Sequence, residues 1–216
     1  MYNALIREGL SSLSLDLDGE QVSQLERYIA EIERFNPVYK LVAATGEELV
    51  IRHIFDSLSA KATIEALLKG SGGSRIADLG SGAGLPGIPL AIALPDATVA
   101  LVERMQRRVG FLRSALVATH LGPRVEIIDR DLKEVRQQFD VVTFRAFRPL
   151  VEILDLVAPI VVDGGWVCAY KGQRTQVEEE LRAVERQCKS RWQGEIRDIV
   201  VPRLDAERTL CLLQKI

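Results

Sequence analysis

Apolar residues in positions 1–70 recur at helical spacing. From Asp18, a run of apolar side chains repeats every three to four residues: Val22, Leu25, Ile29 and Ile32. Asp18 with Gln21 three residues later fits a capping box, and Asn36-Pro37 predicts the end of that helix. A second helical run covers 51–62. Positions 1–70 are therefore predicted to form a helical extension.

After a predicted flexible break at 70–74, short β-like runs alternate with helical ones. The runs lie at Arg75–Leu79, 97–103, 124–128, 140–144 and 165–170, with an amphipathic stretch at 107–120. This alternation favours an α/β fold, a mostly parallel, doubly wound sheet with helices on both faces. Two further runs, 195–201 and 209–213, flank a turn-like segment and predict an antiparallel terminal pair. We expect 71–216 to form one compact domain.

Composition is that of a globular chain, with 47% hydrophobic residues among 216. The net charge of −2 is unlike the strongly basic balance of many nucleic-acid binders, so any RNA contact must come from a local patch. Three widely separated cysteines without a CxxC pair indicate neither a metal site nor a disulfide framework. No signal-peptide run or apolar stretch of about 18 residues occurs, so we expect a cytoplasmic protein without a membrane segment.

A glycine-rich loop, Asp78-Leu-Gly80-Ser-Gly82-Ala-Gly84, follows the first predicted strand directly. Glycines permit a tight turn and close approach to a ligand, and the following helix offers free N–H groups. In open α/β sheets, ligands bind at the carboxyl ends of the strands. The loop alone could equally be a tight turn without a ligand.

Glu103 ends the second predicted strand, about 20 residues after the glycine loop. A carboxylate at this distance can accept hydrogen bonds from both ribose hydroxyls of an adenosine. The spacing Gly80-x-Gly82-x-Gly84 lacks the G-x-G-x-x-G period of pyrophosphate sites. The loop and the carboxylate together favour a nucleoside ligand, and the glycine spacing favours S-adenosylmethionine over NAD.

Together with these features, several segments spread over almost the whole chain resemble one family, the ribosomal RNA small subunit methyltransferase G family, formerly called glucose-inhibited division protein B. The segments are RHIFDSL (52–58), DLGSGAGLPGIPL (78–90), LVE (101–103) with Arg107-Arg108 and Phe111-Leu112, RAF (145–147), Lys171-Gly172, and Pro202 with Glu207-Arg208 and Leu210.

The resemblance implies a class I S-adenosylmethionine-dependent methyltransferase (Rossmann-like) fold with an N-terminal helical extension. It implies transfer of a methyl group from S-adenosylmethionine to N7 of guanine 527 in bacterial 16S rRNA, leaving S-adenosylhomocysteine. It also implies cofactor contacts. With the loop reasoning, the expected cofactor-binding residues are Asp78, Gly80, Gly82, Leu85, Glu103, Leu132, Lys133 and Arg145.

Methylation of guanine N7 needs no general base, because N7 carries a free lone pair and no proton. The enzyme's task is then alignment of the reacting atoms. We expect Arg145 or Arg148 to act in catalysis by donating a hydrogen bond to O6, which leaves N7 free. Arg145 could instead pair with the cofactor's carboxylate, and Phe147 could stack on the guanine or be a core aromatic.

RNA contacts are expected from Arg52, His53 and Lys171, although Arg52 and His53 could simply pair with Asp56 on one helix surface. Arg203 and Arg208 could be merely solvated. The expected partner is 16S rRNA in the folded or assembled small subunit, with the enzyme a monomer that holds no metal.

Three alternatives remain open. The chain could methylate another substrate, a small molecule or a protein. It could be an NAD-dependent oxidoreductase, although neither of its two histidines is predicted at the carboxyl edge of the sheet. It could also be a non-enzymatic RNA-binding module, which the mildly acidic charge disfavours.

Overall fold

The computed structural model describes residues 2–216, so Met1, the first position of the predicted extension, lies outside the described residues. Five helices precede the first strand: α1 (Asn3–Ser12), α2 (Gly19–Tyr39), α3 (Gly46–Leu49), α4 (Asp56–Leu58) and α5 (Lys61–Ser71), with a π-helical turn at Val50–Phe55. The later elements are β1 (Arg75–Leu79), α6 (Gly87–Ala93), β2 (Thr98–Val102), α7 (Gln106–Thr119), β3 (Val125–Ile128), a 3₁₀ turn (Leu132–Glu134), β4 (Phe139–Arg145), α8 (Leu150–Val157), a second 3₁₀ turn (Ala158–Ile160), β5 (Val161–Lys171), α9 (Arg174–Gln187), β6 (Trp192–Ile199) and β7 (Arg208–Lys215).

The seven strands form one sheet in the order β3-β2-β1-β4-β5-β7-β6. Strands β1 to β5 are parallel, and β7 runs antiparallel to both β5 and β6. The strand order reverses between β1 and β4, and ligands bind open α/β sheets at such a switch point. The predicted mostly parallel sheet with an antiparallel C-terminal pair is confirmed.

Alternating side chains along each strand enter two cores, one on each face of the sheet. On β1, Ile76 packs with the N-terminal helices, α6 and α7, whereas Ala77 and Leu79 pack with α8 and α9. This alternation follows from the two-residue period of a strand. The predicted placement of helices on both faces is confirmed.

The N-terminal helices lie against the seven-stranded sheet and share its first core. Asp18 and Gln21 form the predicted capping box of α2, and the Gln21 amide also donates to the carbonyl of Ile92 at 2.7 Å. The hydroxyl of Tyr28, wholly buried, donates to the Ala83 carbonyl at 2.5 Å. Helix α2 therefore supports the glycine loop directly.

The prediction that α2 ends at Asn36-Pro37 is wrong, because the helix continues to Tyr39. Pro37 has no backbone N–H to donate to the carbonyl of Glu33, so it costs the helix one hydrogen bond without ending it. Aromatic contacts hold the last turn, since Phe35 packs edge-on against Phe111 and the Arg107 guanidinium lies over the Tyr39 ring.

The predicted helix at 51–62 is interrupted, since the π-helical turn and α4 give way to a turn at 59–60 before α5 begins. Gly70 and Ser71 complete α5, so only 72–74 of the predicted break are non-helical.

Candidate active site

The glycine loop turns sharply after β1 by means of left-handed backbone. Gly80, Gly82 and Gly84 have φ of +63°, +58° and +81°, a region that residues with a Cβ rarely adopt. The turn brings the backbone of the loop to the carboxyl edge of the sheet, beside the ends of β1 and β2. Three glycines in this segment are thus explained by its conformation.

Asp78 lies beneath this loop and is completely buried. Its Oδ2 accepts the Gly87 N–H at 3.0 Å, as expected of a residue that orders the loop. Oδ1 has no hydrogen-bond partner among the described residues. Burial raises the pKa of Asp78 to about 7, against the opposing effect of the Gly87 N–H.

Glu103 lies at the end of β2 with its carboxylate turned inward, and only 4% of the residue is exposed. Oε2 accepts the Gly82 N–H at 3.0 Å and Oε1 accepts the Met105 N–H at 2.9 Å. Because an ionised carboxylate offers about four lone-pair positions, each oxygen can accept one further hydrogen bond. The same side chain therefore ties β2 to the glycine loop and keeps acceptors for a ligand.

A groove of about 440 Å³ lies beside the loop and is called the glycine-loop groove here. Its walls include the loop, the end of β2, the 3₁₀ turn and the segment after β4. The lining residues relevant to the predicted site are Gly80, Glu103, Leu132, Lys133, Phe147 and Arg148. The predicted residues Leu85 and Gly82 do not line the groove: Leu85 is buried in the adjoining core, and Gly82 contacts only its wall, by donating to Glu103.

The groove suits an adenosine. The Glu103 carboxylate lines it with spare acceptor capacity, and the partly buried Leu132 side chain adds apolar lining. Basic residues line its mouth, namely Arg104, Arg108, Arg130 and Lys133. The groove thus has the lining to hold a nucleoside that carries a charged group.

A second cavity, of about 580 Å³, opens above the ends of β4 and β5 and is called the β4–β5 cavity here. Half of its lining residues are charged, and His53 lies among them. The charged residues are Arg52, Asp56, Arg145, Arg148, Lys171, Glu180 and Arg208. The predicted catalytic pair and the three predicted RNA-binding residues thus all border one cavity.

Arg145 extends into the β4–β5 cavity and away from the glycine-loop groove. Its Nη1 donates to Asp56 Oδ2 at 2.8 Å and to the Arg52 carbonyl at 3.2 Å, and its Nη2 lies 2.8 Å from His53 Nδ1. Burial, and next the charge of Arg145, lower the pKa of His53 to about 4. A neutral His53 can accept the Arg145 hydrogen bond at Nδ1.

The suggested pairing of Arg52 and His53 with Asp56 on one helix surface is wrong. Arg52 pairs with Glu48, and Asp56 instead binds Arg145 and Arg208. The suggestion that Arg208 is merely solvated is also wrong, since its Nε lies 3.1 Å from Asp56 Oδ1. Sequence reasoning did not assign Asp56 to the site, although one carboxylate among apolar helix residues was a signal.

Lys171 and Glu180 both line the β4–β5 cavity and form an ion pair with each other. Its Nζ contacts Oε1 and Oε2 of Glu180 at 2.9 and 2.8 Å, and Glu180 also accepts the Leu150 N–H. Glu180 was not predicted either, although it lies only nine residues after Lys171, because its position depends on how helix α9 packs against the sheet.

The segment Ala146-Phe147-Arg148 separates the two cavities and lines both. Ala146 has φ of +48°, a strained conformation for a residue with a Cβ. Phe147 lies so close to the glycine loop that a Cβ added to Gly80 would come within 2.5 Å of its ring. The Arg148 guanidinium lies over that ring, 5.8 Å from the centroid.

The sheet order, the glycine loop and the carboxylate at the end of β2 define the class I S-adenosylmethionine-dependent methyltransferase fold. A putative O-methyltransferase from Klebsiella pneumoniae is similar over 98% of this chain and 96% of its own, with a TM-score of 0.61 at 15% identity. The tRNA (m1A58) methyltransferase of Aquifex aeolicus covers 73% of this chain and 69% of its own, with a TM-score of 0.55 and 18% identity.

The family model for rRNA small subunit methyltransferase G matches residues 21–210, and the chain belongs to that family. A relative of that name from Chromobacterium violaceum is 37% identical over 97% of this chain and 96% of its own length. Another from Cupriavidus pinatubonensis is 34% identical over 97% and 92%. The resemblance found in the sequence is confirmed. Two of the alternative interpretations of the sequence, an NAD-dependent oxidoreductase and a non-enzymatic RNA-binding module, are therefore wrong.

Proposed function

We propose that this protein transfers a methyl group from S-adenosylmethionine to N7 of guanine 527 in 16S rRNA of the small ribosomal subunit. The observation that carries the proposal is the charge state of the β4–β5 cavity. Both carboxylates that line it are committed to cations, Asp56 to two arginines and Glu180 to Lys171. The neutral His53 is engaged as well, because its Nδ1 lies 2.8 Å from Nη2 of Arg145. A cavity whose carboxylates and imidazole all have cationic partners suits an acceptor that loses no proton.

The glycine-loop groove is the proposed binding site of S-adenosylmethionine. This cofactor supplies an activated methyl group on a positively charged sulfur. Glu103 would accept hydrogen bonds from the ribose hydroxyls. Leu132 and Lys133 would contact the adenine through their backbone and the shape of the 3₁₀ turn, and the turn at Gly80 would accommodate the amino-acid portion. These residues would hold the cofactor beside the segment Ala146-Phe147-Arg148, which lines both cavities.

The target guanine enters the β4–β5 cavity next to Phe147 and between Arg145 and Arg148. Guanine presents two acceptors on its Hoogsteen edge, O6 and N7. An arginine that donates to O6 orients the base and leaves the N7 lone pair free for attack. Alignment of the reacting atoms in such a site is worth up to about 7–11 kcal/mol. Arg145 and Arg148 are therefore the proposed catalytic residues.

RNA backbone contacts are assigned to Arg52, His53 and Lys171 around the same cavity. The overall charge of −2 gives the protein little general attraction to polyphosphate. We therefore expect recognition of a folded or assembled subunit in the cytoplasm rather than of a short free RNA. Among residues 2–216, no helix is long and apolar enough to cross a membrane.

A methylation map tests the proposal. Purified protein and S-adenosylmethionine are incubated with small subunits that lack the modification, and the 16S rRNA is digested and sequenced by mass spectrometry. We expect one 7-methylguanosine at position 527. A methyl group on another atom or base, or incorporation into protein or small molecules instead, would contradict it.

Two arginine variants then test the catalytic assignment. Arg145→Ala and Arg148→Ala should each slow methylation, whereas Arg186→Ala, an exposed arginine in the last turn of α9, should not. If Arg145→Ala and Arg148→Ala both retained full activity, the hypothesis that an arginine hydrogen bond to O6 orients the base would be refuted.

A further inference from the structure

Asp56 draws together three parts of the chain at the β4–β5 cavity. Its Oδ2 lies 2.8 Å from Nη1 of Arg145 at the end of β4, and its Oδ1 lies 3.1 Å from Nε of Arg208 at the start of β7. The residue is 2% exposed. A carboxylate so deeply buried needs cationic partners, and here both of its oxygens have one.

The π-helical turn at Val50–Phe55 presents the other partners of Arg145. The wider turn aims the Arg52 carbonyl and the His53 ring at the same guanidinium that Asp56 holds. Such turns occur frequently at functional sites. One helical segment therefore surrounds a single arginine with three acceptors of different chemistry.

Counting N–H groups shows what this leaves for a ligand. A guanidinium has five, and Arg145 uses three, two on Nη1 and one on Nη2. The Nε–H and one Nη2–H remain, and the side chain is still 18% exposed in the wall of the cavity. The fixed set of bonds thus selects which edge of the guanidinium faces the cavity.

We propose that Asp56 is a positioning residue that sets the orientation of the Arg145 guanidinium for the methyl acceptor. An unrestrained arginine loses rotamer entropy when it is ordered. Asp56 orders it before the base arrives, so the two remaining N–H groups meet O6 in a fixed geometry. The inference rests on the proposed function, because O6 of the guanine is the group that Arg145 addresses.

A double-mutant cycle separates this role from a purely structural one. Asp56→Asn, Arg145→Ala and the double variant are compared for kcat and KM with unmodified small subunits, for S-adenosylmethionine affinity by calorimetry, and for Tm. Asp56→Asn should lower kcat/KM on the order of 10–100-fold, the cost of misplacing a reacting group. Cofactor affinity should change less than about twofold, because Asp56 is remote from the glycine-loop groove.

In the Arg145→Ala background, Asp56→Asn should have almost no further effect, since the residue acts through Arg145. Equal losses in both backgrounds, or wild-type kcat/KM for a folded Asp56→Asn protein, would overturn the proposal. The matched control is Glu65→Gln. Glu65 also binds two cations, Lys61 and Lys69, but it lies on α5 away from the β4–β5 cavity.

If Asp56→Asn does not fold, Asp56→Glu replaces it, because this variant keeps the charge and displaces the carboxylate by one methylene. A folded Asp56→Glu protein with unchanged kcat/KM would refute the positioning role. If wild-type protein leaves guanine N7 of the subunit unmethylated, the proposed function fails and the inference fails with it. If wild-type protein is active and only the cycle is additive, the inference alone fails.

Discussion

The hydroxyl of Tyr28 offers a sharp test of how the N-terminal helices support the cofactor loop. It is wholly buried and donates to the Ala83 carbonyl at 2.5 Å, which joins α2 to the middle of the glycine loop. Tyr28→Phe removes that one oxygen and leaves the ring and its packing in place. The change therefore isolates the hydrogen bond.

The expected cost follows from the burial of both groups. A buried carbonyl that loses its donor destabilises a fold by about 1–3 kcal/mol. For a chain of this length, each kcal/mol lowers Tm by about 2–4 °C. A loosened loop should also bind S-adenosylmethionine less tightly, by up to about tenfold, which corresponds to about 1.4 kcal/mol.

The assays are urea unfolding for stability and calorimetry for cofactor affinity. Tyr39→Phe is the matched control, because Tyr39 lies on the same helix and its hydroxyl forms no hydrogen bond within residues 2–216. A loss of less than about 0.5 kcal/mol in Tyr28→Phe, or an equal loss in the control, would refute this account of the loop's support.

Two further predictions concern the loop and the pH response. Gly80→Ala should cost stability and weaken S-adenosylmethionine binding at least about tenfold, since its φ of +63° costs about 1–2 kcal/mol with a Cβ and that Cβ would meet Phe147. The control is Gly72→Ala, which should show only the backbone cost because Gly72 has φ of +68° and open space around it. Equal cofactor affinities of Gly80→Ala and Gly72→Ala in calorimetry would contradict the effect assigned to the Phe147 contact. Burial lowers the pKa of His53 to about 4 in the folded protein, whereas in the unfolded chain His53 is protonated as pH falls below about 6.5. Protonation in that range therefore favours the unfolded state. Wild type should thus lose more unfolding free energy between pH 7 and pH 4.5 than His53→Gln, which removes the titrating group from beside Asp56, Arg52, Arg145 and Arg208; parallel losses in urea titrations would refute the assignment.

Strand periodicity and glycine spacing predicted the sheet and the loop because both depend on local sequence. The first strand was predicted at Arg75–Leu79, where it lies, and the terminal antiparallel pair was predicted from the turn between two β-like runs. Glu103 could be predicted because it directly follows β2, the strand that lies next to the glycine loop. Local patterns were sufficient for these features.

The β4–β5 cavity could not be predicted in the same way, because its walls come from distant segments. Asp56, Arg145 and Arg208 meet only after the N-terminal helices pack beside β4 and β7. The π-helical turn that aims His53 has the same apolar spacing as an ordinary helix. Helix α2 continues beyond Pro37 for a similar reason, because tertiary contacts of its aromatic residues outweigh the helix-ending tendency of Asn36-Pro37.

The central claim is that the glycine-loop groove with Glu103 binds a phosphate-free adenosine, and a calorimetric titration tests it most directly. S-adenosylmethionine should bind wild-type protein with one site, NAD should not bind, and Glu103→Gln should weaken the Kd about 10–100-fold, as expected for hydrogen bonds to a charged group. Glu65→Gln should leave the Kd unchanged. NAD binding as tight as that of S-adenosylmethionine, or a Glu103→Gln protein with wild-type affinity, would contradict the claim.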